Sequence, residues 1–149
     1  ARAFLETAAG VVGPGGGMLI GIDLKKDETI LHAAYNDAQG ITAAFNLNLL
    51  ERINRELGGS FDVSAFAHRA FYNSDEGRIE MHLISRRKQR VNVAGHGFNF
   101  GEGESLHTEN SYKFTIDGVQ DMALRAGFEP EAVWLDAEKL FSLHLLRAP

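Results

Sequence analysis

Apolar and polar residues follow two different periods along the chain. The opening "ARAFLETAAG" has the spacing of the tail of an amphipathic helix, and the apolar run Met18 to Asp23, bounded by Pro and Gly, predicts a short buried strand. A helix is expected from Asp27. A second is expected from Ile41 to Leu57, where Phe45, Leu49, Ile53 and Leu57 recur at every fourth position as a core face and Gly58 and Gly59 supply the stop. Asp62 and Ser64 predict a short helix carrying Phe66, followed by a turn in "FYNSDEGR". The period then changes. Ile79, Met81 and Leu83 alternate with Glu80 and His82, and Val91 and Val93 alternate likewise, which predicts two strands turning as a hairpin near Arg87 and Lys88. A strand holding Phe98 and Phe100 comes next. Thr115 caps a last helix with Ile116, Val119, Met122 and Ala126, and "EAVWLD" and "FSLHLLR" close the chain as strands.

Composition narrows the class more than the function. A chain of 149 residues with 44% hydrophobic and 23% charged positions is sized for one globular domain. Its net charge of -5, with basic residues clustered only at Arg86, Arg87, Lys88 and Arg90, gives no electrostatic footprint for nucleic acid, and that cluster reads as a solvated strand end or hairpin. No cysteine is present, so disulfides and thiolate metal sites are excluded. No apolar run reaches the roughly 18 residues that span a bilayer, so no membrane partner is expected and the expected location is cytoplasmic.

Three features bear on chemistry. The glycines of "GPGGG" precede a strand, whereas a phosphate-cradling loop needs them after one, where a helix begins; the segment is read as a turn. The six histidines show no i, i+4 pair and no neighbouring thiol, so no metal site is expected, and His82 and His144 are placed on strand faces. Glu102, Glu104 and Glu109 could pass for paired carboxylates, but flanking glycines make the first two a solvated loop. In "GEGESLHTENSYKFT", Glu109, Asn110, Ser111 and Tyr112 set four hydrogen-bonding side chains in a row. The residues alone leave two readings: a cap and turn, or the lining of a pocket that reads a small polar molecule.

Several separated motifs agree on one family. "IGIDLKKD", "AAYNDAQGITAAFNLNLLERINREL", "RIEMHLIS", "HTENSYKF", "AGFEPEAVWLD" and "FSLHLLR" together resemble the histidine-specific S-adenosylmethionine-dependent methyltransferases of ergothioneine biosynthesis, over nearly the whole chain. The resemblance implies an α+β fragment of an α/β class I methyltransferase: the last three sheet strands plus an inserted substrate-recognition domain. Residues 1–26 would end the methyltransferase core, 27–112 would be the insertion, and 113–149 would supply the final helix and two edge strands. In that family the first strand, its glycine-rich turn and the acidic residue that reads the cofactor ribose precede this segment. The chain is therefore expected to be a C-terminal portion, inactive alone, whose partner is the N-terminal half of the same enzyme and whose co-substrate, S-adenosylmethionine, has its main binding motif elsewhere.

The resemblance also lifts particular residues out of the bland reading. Both nitrogens of a buried imidazole must be paired, and Glu109 and Ser111 suit that pairing, being two apart on an extended segment and so on one side, with Asn110 pointing away. The family assigns those positions to the imidazole of bound histidine. Tyr35 matches its tyrosine at the substrate carboxylate, and Met81 is a candidate pocket wall. Phe45 and Asn46 are similar to family positions near the site. By itself Tyr35 would be a half-buried packing residue. The rival expectations are a non-catalytic amino-acid-binding module and a methyltransferase for another amino acid.

Overall fold

The computed structural model describes residues 1–149, which divide into two compact units, Ala1–Lys26 with Tyr112–Pro149 and, between them in sequence, Asp27–Ser111. In chain order the elements are α1 (Arg2–Val12), β1 (Gly17–Asp23), α2 (Glu28–Tyr35), α3 (Ile41–Leu57), a 3-10 turn (Val63–Ala65), β2 (Phe66–Asn73), β3 (Arg78–Ser85), β4 (Gln89–Val93), β5 (His96–Phe100), β6 (Ser105–Tyr112), α4 (Ile116–Arg125), β7 (Glu129–Leu135) and β8 (Phe141–Arg147). No helix is long and apolar enough to cross a membrane.

The first unit is a three-stranded sheet in the order β1-β8-β7, with β8 antiparallel to both neighbours. These strands and α4 form where the sequence predicts them, but β1 is not the buried strand expected: no residue of it is fully buried and Leu19 is 62% exposed. Thr115 caps α4 by accepting the Gly118 N–H at 3.1 Å, which satisfies one of the donors that the first turn leaves open. Leu5 of α1, Ala123 of α4, Phe128 and Leu146 form the buried core, with Met18 and Ile20 of β1 packed against it. As expected, "GPGGG" is a turn, and Gly13 and Gly15 take the positive φ that only glycine adopts freely.

The second unit holds the sheet β2-β3-β6, the hairpin β4-β5, and helices α2 and α3. Asp27 caps α2 through the Thr29 N–H at 2.7 Å. The start of α3 is held from further back, the Asp37 carboxylate accepting the Ile41 and Thr42 N–H groups at 2.8 Å each. Those donors, that of Thr42 first, pull the Asp37 carboxyl down from its ordinary 3.8 to about 2. Two small cores result. Leu31, Ala70, Ile79 and Met81 form one, and Leu50, Phe66 and Leu83 the other, where Phe66 meets the Phe61 and Phe100 rings at centroid distances of 5.7 and 5.4 Å.

Three sequence expectations are corrected in this unit. Phe66 opens strand β2 rather than lying in a helix, and only residues 74–77 in the middle of "FYNSDEGR" turn the chain, Arg78 already belonging to β3. The strand escapes notice because its core-facing set, Phe66, His68, Ala70 and Tyr72, carries a polar and a small residue where alternation needs large apolar ones. No hairpin forms at Arg87 and Lys88. β3 pairs with β2 and β6, while β4 turns into β5 at Ala94 and Gly95, both at positive φ as a tight hairpin requires. On α3 the buried residues are Asn46 and Leu50; Phe45 is 64% exposed, Leu49 38% and Leu57 53%, so the face taken for core is largely open.

Candidate functional site

Part of that open face borders a cavity of about 180 Å³. Phe45, Asn46, Asn48, Leu49 and Arg52 of α3 line one side of it, Met81 of β3 and Thr108 and Glu109 of β6 the other. The lining is mostly apolar with a few polar groups, the usual make-up of a small-molecule site. Thr108 is tied to β3 by donating its hydroxyl to the Met81 carbonyl at 2.9 Å, which fixes β6 beside Met81. The Glu109 carbonyl accepts from His107 Nε2 at 3.1 Å, and Glu109 is among the residues that line the cavity.

Met81 and Glu109 thus border one space. Tyr35 and Ser111 are not part of its lining; they meet each other instead, Tyr35 Oη lying 2.8 Å from Ser111 Oγ. Tyr35 also packs against the core cluster that contains Met81, so the four residues form a continuous set across α2, β3 and β6. Along β6, Glu109 and Ser111 are half-buried and Asn110 and Tyr112 exposed. Of the two positions held to be near the site, Phe45 and Asn46 both border the cavity. Asn48, Leu49, Arg52 and Thr108 do so as well; they lie within the family motifs but had no role assigned to them, and Leu49 was placed in the core by its fourth-position spacing on α3.

A second cluster lies on β3 and β6. Glu80, His82 and His107 bring possible ligand atoms within 4.8 Å of one another, a cross-strand grouping that spacing in sequence does not reveal. Its chemistry is that of a hydrogen-bonded stack. Glu80 is already paired with Arg78 at 2.8 Å, accepts from Asn73 at 3.0 Å and meets His82 Nε2 at 3.2 Å. The Arg78 bond first, with those of Asn73 and His82, outweighs burial and holds the Glu80 carboxyl down from 4.5 to about 2. The His82 ring is stacked between Phe71 and His107, 14° from parallel to the latter, so the two imidazoles do not converge on a common ligand point.

With the geometry in view, comparison with known proteins decides the family. The sequence profile described as "Histidine-specific methyltransferase, SAM-dependent" matches residues 1–148. The chain belongs to that family. The family takes its methyl group from S-adenosylmethionine. Over 144 residues the chain is 45% identical to the histidine N-alpha-methyltransferase of Mycolicibacterium smegmatis and 44% identical to that of Mycobacterium tuberculosis, in each case 95% of this chain and 45% of the relative. It is 28% identical over 160 residues to ergothioneine biosynthesis protein 1 of Neurospora crassa, covering 98% of this chain and 16% of that protein. The chain therefore spans about half the length of the two bacterial relatives. Among solved structures, the CcbJ methyltransferase from Streptomyces caelestis aligns with 99% of the chain and 52% of its own length, at 14% identity and a TM-score of 0.46.

Proposed function

We propose that this chain is the histidine-recognition part of a methyltransferase that places methyl groups from S-adenosylmethionine on the α-amine of histidine, on the route to ergothioneine. The observation that carries the reading is the meeting of Met81 and Glu109 at one cavity in a chain 45% identical to a histidine N-alpha-methyltransferase. In this reading the unit Asp27–Ser111 is the inserted substrate domain and the β1-β8-β7 unit is the end of the methyltransferase sheet.

Methyl transfer to an amine is an in-line displacement whose donor supplies an electrophilic methyl on a sulfonium. What a protein contributes is alignment, worth several kcal/mol of the barrier, and an environment in which the amine is neutral. Glu109 and Ser111 pair the two imidazole nitrogens, Tyr35 turns its hydroxyl to the carboxylate, and Met81 walls the ring. Once both ends are held, the amine lone pair has one direction in which to face. The donor itself does not fit the residues present here. The glycine-rich run "GPGGG" leads into β1 rather than joining a strand to a helix, and Asp23 at the end of β1 is engaged by Lys26 and Lys113. Donor binding is accordingly assigned to an N-terminal half of the same enzyme, and the chain alone is expected to be inactive.

The test is mass spectrometry of methyl transfer by the full-length protein, given S-adenosylmethionine and an equal mixture of the common amino acids. Histidine is expected as the sole product-forming acceptor, and Glu109→Ala should lower kcat/KM by about 10- to 100-fold, as loss of a charged hydrogen-bond partner does. Undiminished turnover by that variant would remove Glu109 from the site. Methylation of another amino acid overturns the substrate, and binding of histidine with no transfer supports a non-catalytic recognition module.

A further inference from the structure

Tyr35 is the last residue of α2, an eight-residue helix whose final carbonyls have no partner within the helix. The Tyr35 carbonyl lies 2.8 Å from His68 Nε2 on β2. A carbonyl can only accept, so Nε2 carries the proton. The neutral ring then has its lone pair on Nδ1, which takes a hydrogen from Asn46 Nδ2 at 3.0 Å. The second hydrogen of that amide goes to the His82 carbonyl on β3 at 3.1 Å. Both partners of the amide nitrogen are acceptors, so the orientation of Asn46 is fixed by its surroundings, and at 3% exposure water cannot substitute.

One residue further on, the Asn36 side chain grips β2 directly. Its Nδ2 donates to the Ala70 carbonyl at 3.1 Å and its Oδ1 accepts the Ala70 N–H at 3.3 Å. The end of α2 is thus pinned by two adjacent residues, one through its main chain and one through its side chain. What that pinning sets is the place of the Tyr35 ring, whose hydroxyl meets Ser111.

We propose that Asn46 and His68 are positioning residues for Tyr35: the Asn46–His68–Tyr35 chain of hydrogen bonds holds the last turn of α2 where the Tyr35 hydroxyl can bind the substrate beside Ser111. This rests on the reading of Tyr35 and Ser111 as substrate-binding residues. It also explains why β2 carries a histidine on its core-facing side, where packing alone would favour an aliphatic residue. Asn46 borders the cavity, yet its amide hydrogens are committed to the protein, so its contribution to the substrate passes through Tyr35.

The experiment is a double-mutant cycle between His68→Phe and Tyr35→Phe in the full-length enzyme, with KM for histidine and kcat measured separately, accompanied by amide hydrogen exchange at the end of α2. His68→Phe fills the space but removes both hydrogen bonds. It should raise KM about tenfold with kcat changed by less than about threefold, and add little when Tyr35 is already Phe. His68→Gln, which keeps a donor for the Tyr35 carbonyl, should recover most of the loss. Exchange at Ala33 to Asn36 should quicken in His68→Phe while α4 stays unchanged. Full additivity of the two substitutions, or unchanged exchange at the end of α2, overturns the positioning role. Failure of the site reading looks different: Tyr35→Phe alone would leave KM unaltered while exchange still quickened in His68→Phe.

Discussion

Among the residues that make the protein sensitive to acid, His144 and Glu80 act from different starting points. His144 on β8 is fully buried, its Nε2 lies 2.9 Å from Ser142 Oγ, and its Nδ1 is buried without a partner. Burial disfavours the imidazolium and pushes its pKa below the ordinary 6.5. Below 6.5 the unfolded chain binds a proton there that the folded chain resists, so stability falls as pH drops through that value and down to the lowered folded pKa. Glu80 adds a lower window. Its folded pKa of about 2, against 4.5, means that the stability given by Arg78 is present above 4.5 and is lost as pH falls toward 2. Urea midpoints measured from pH 7 to pH 2.5 should therefore decline in two stages. His144→Leu should lessen the decline that begins near 6.5, and Glu80→Gln should lessen without abolishing the decline below 4.5, to which the lowered carboxyls of Asp37 and Asp23 also contribute; a profile that either variant leaves unchanged would contradict the assignment.

Helix α3 shows how a correct element can be read with the wrong face inward. Leu50 is 0% exposed and packs with Phe66 and Leu83, whereas Leu49 borders the cavity. Leu50→Ala should cost about 3 kcal/mol, a transfer loss plus a cavity, and Leu49→Ala less than about 1 kcal/mol, both read from urea midpoints at a constant m-value. Equal costs would mean that the open face is packed after all. Most of the elements were legible in the sequence, because Asp27, Thr115, Gly58 and the alternation in "RIEMHLIS" are local signals. The face of α3 was not, because an apolar residue awaiting a ligand and one packed in a core have the same hydropathy. β2 was hidden by His68, a polar residue whose purpose shows only when Tyr35 and Asn46 are brought to it from elsewhere in the chain. Candidate site residues came into view through family motifs, whereas Leu49, Arg52 and Thr108, which lie in the same motifs, had no chemical signal that set them apart from their neighbours.

At the scale of the whole chain, the backbone leaves the first unit after Lys26 and re-enters it at Tyr112, and both passages are secured from within that unit. Leu24 forms a parallel bridge with Phe114, and the Lys25 N–H donates to the Phe114 carbonyl at 2.9 Å. Asp23 receives Lys26 Nζ on one oxygen at 2.5 Å and Lys113 Nζ on the other at 2.6 Å. Burial pulls the Asp23 carboxyl up, but the hydrogen bonds and charges of Lys113 and Lys26 outweigh it and hold it below its ordinary value. The Lys113 side chain is entirely buried and is ion-paired with Asp23, whereas Asp23 keeps about a third of its surface in water and is also paired with Lys26. The two partners are therefore unequal. Asp23→Asn removes the countercharge from a buried ammonium and should cost about 2 to 3 kcal/mol, at the low end for a broken buried pair because the carboxylate is partly solvated. Lys113→Met removes the charge that needed compensation, leaves Asp23 to Lys26, and should cost less than half as much. Guanidinium unfolding of both variants decides the point: if Lys113→Met proved the more damaging, Lys113 would have to be sustained by partners other than Asp23, and the tie between the two passages would lie in the backbone bridge at Leu24 and Phe114 alone.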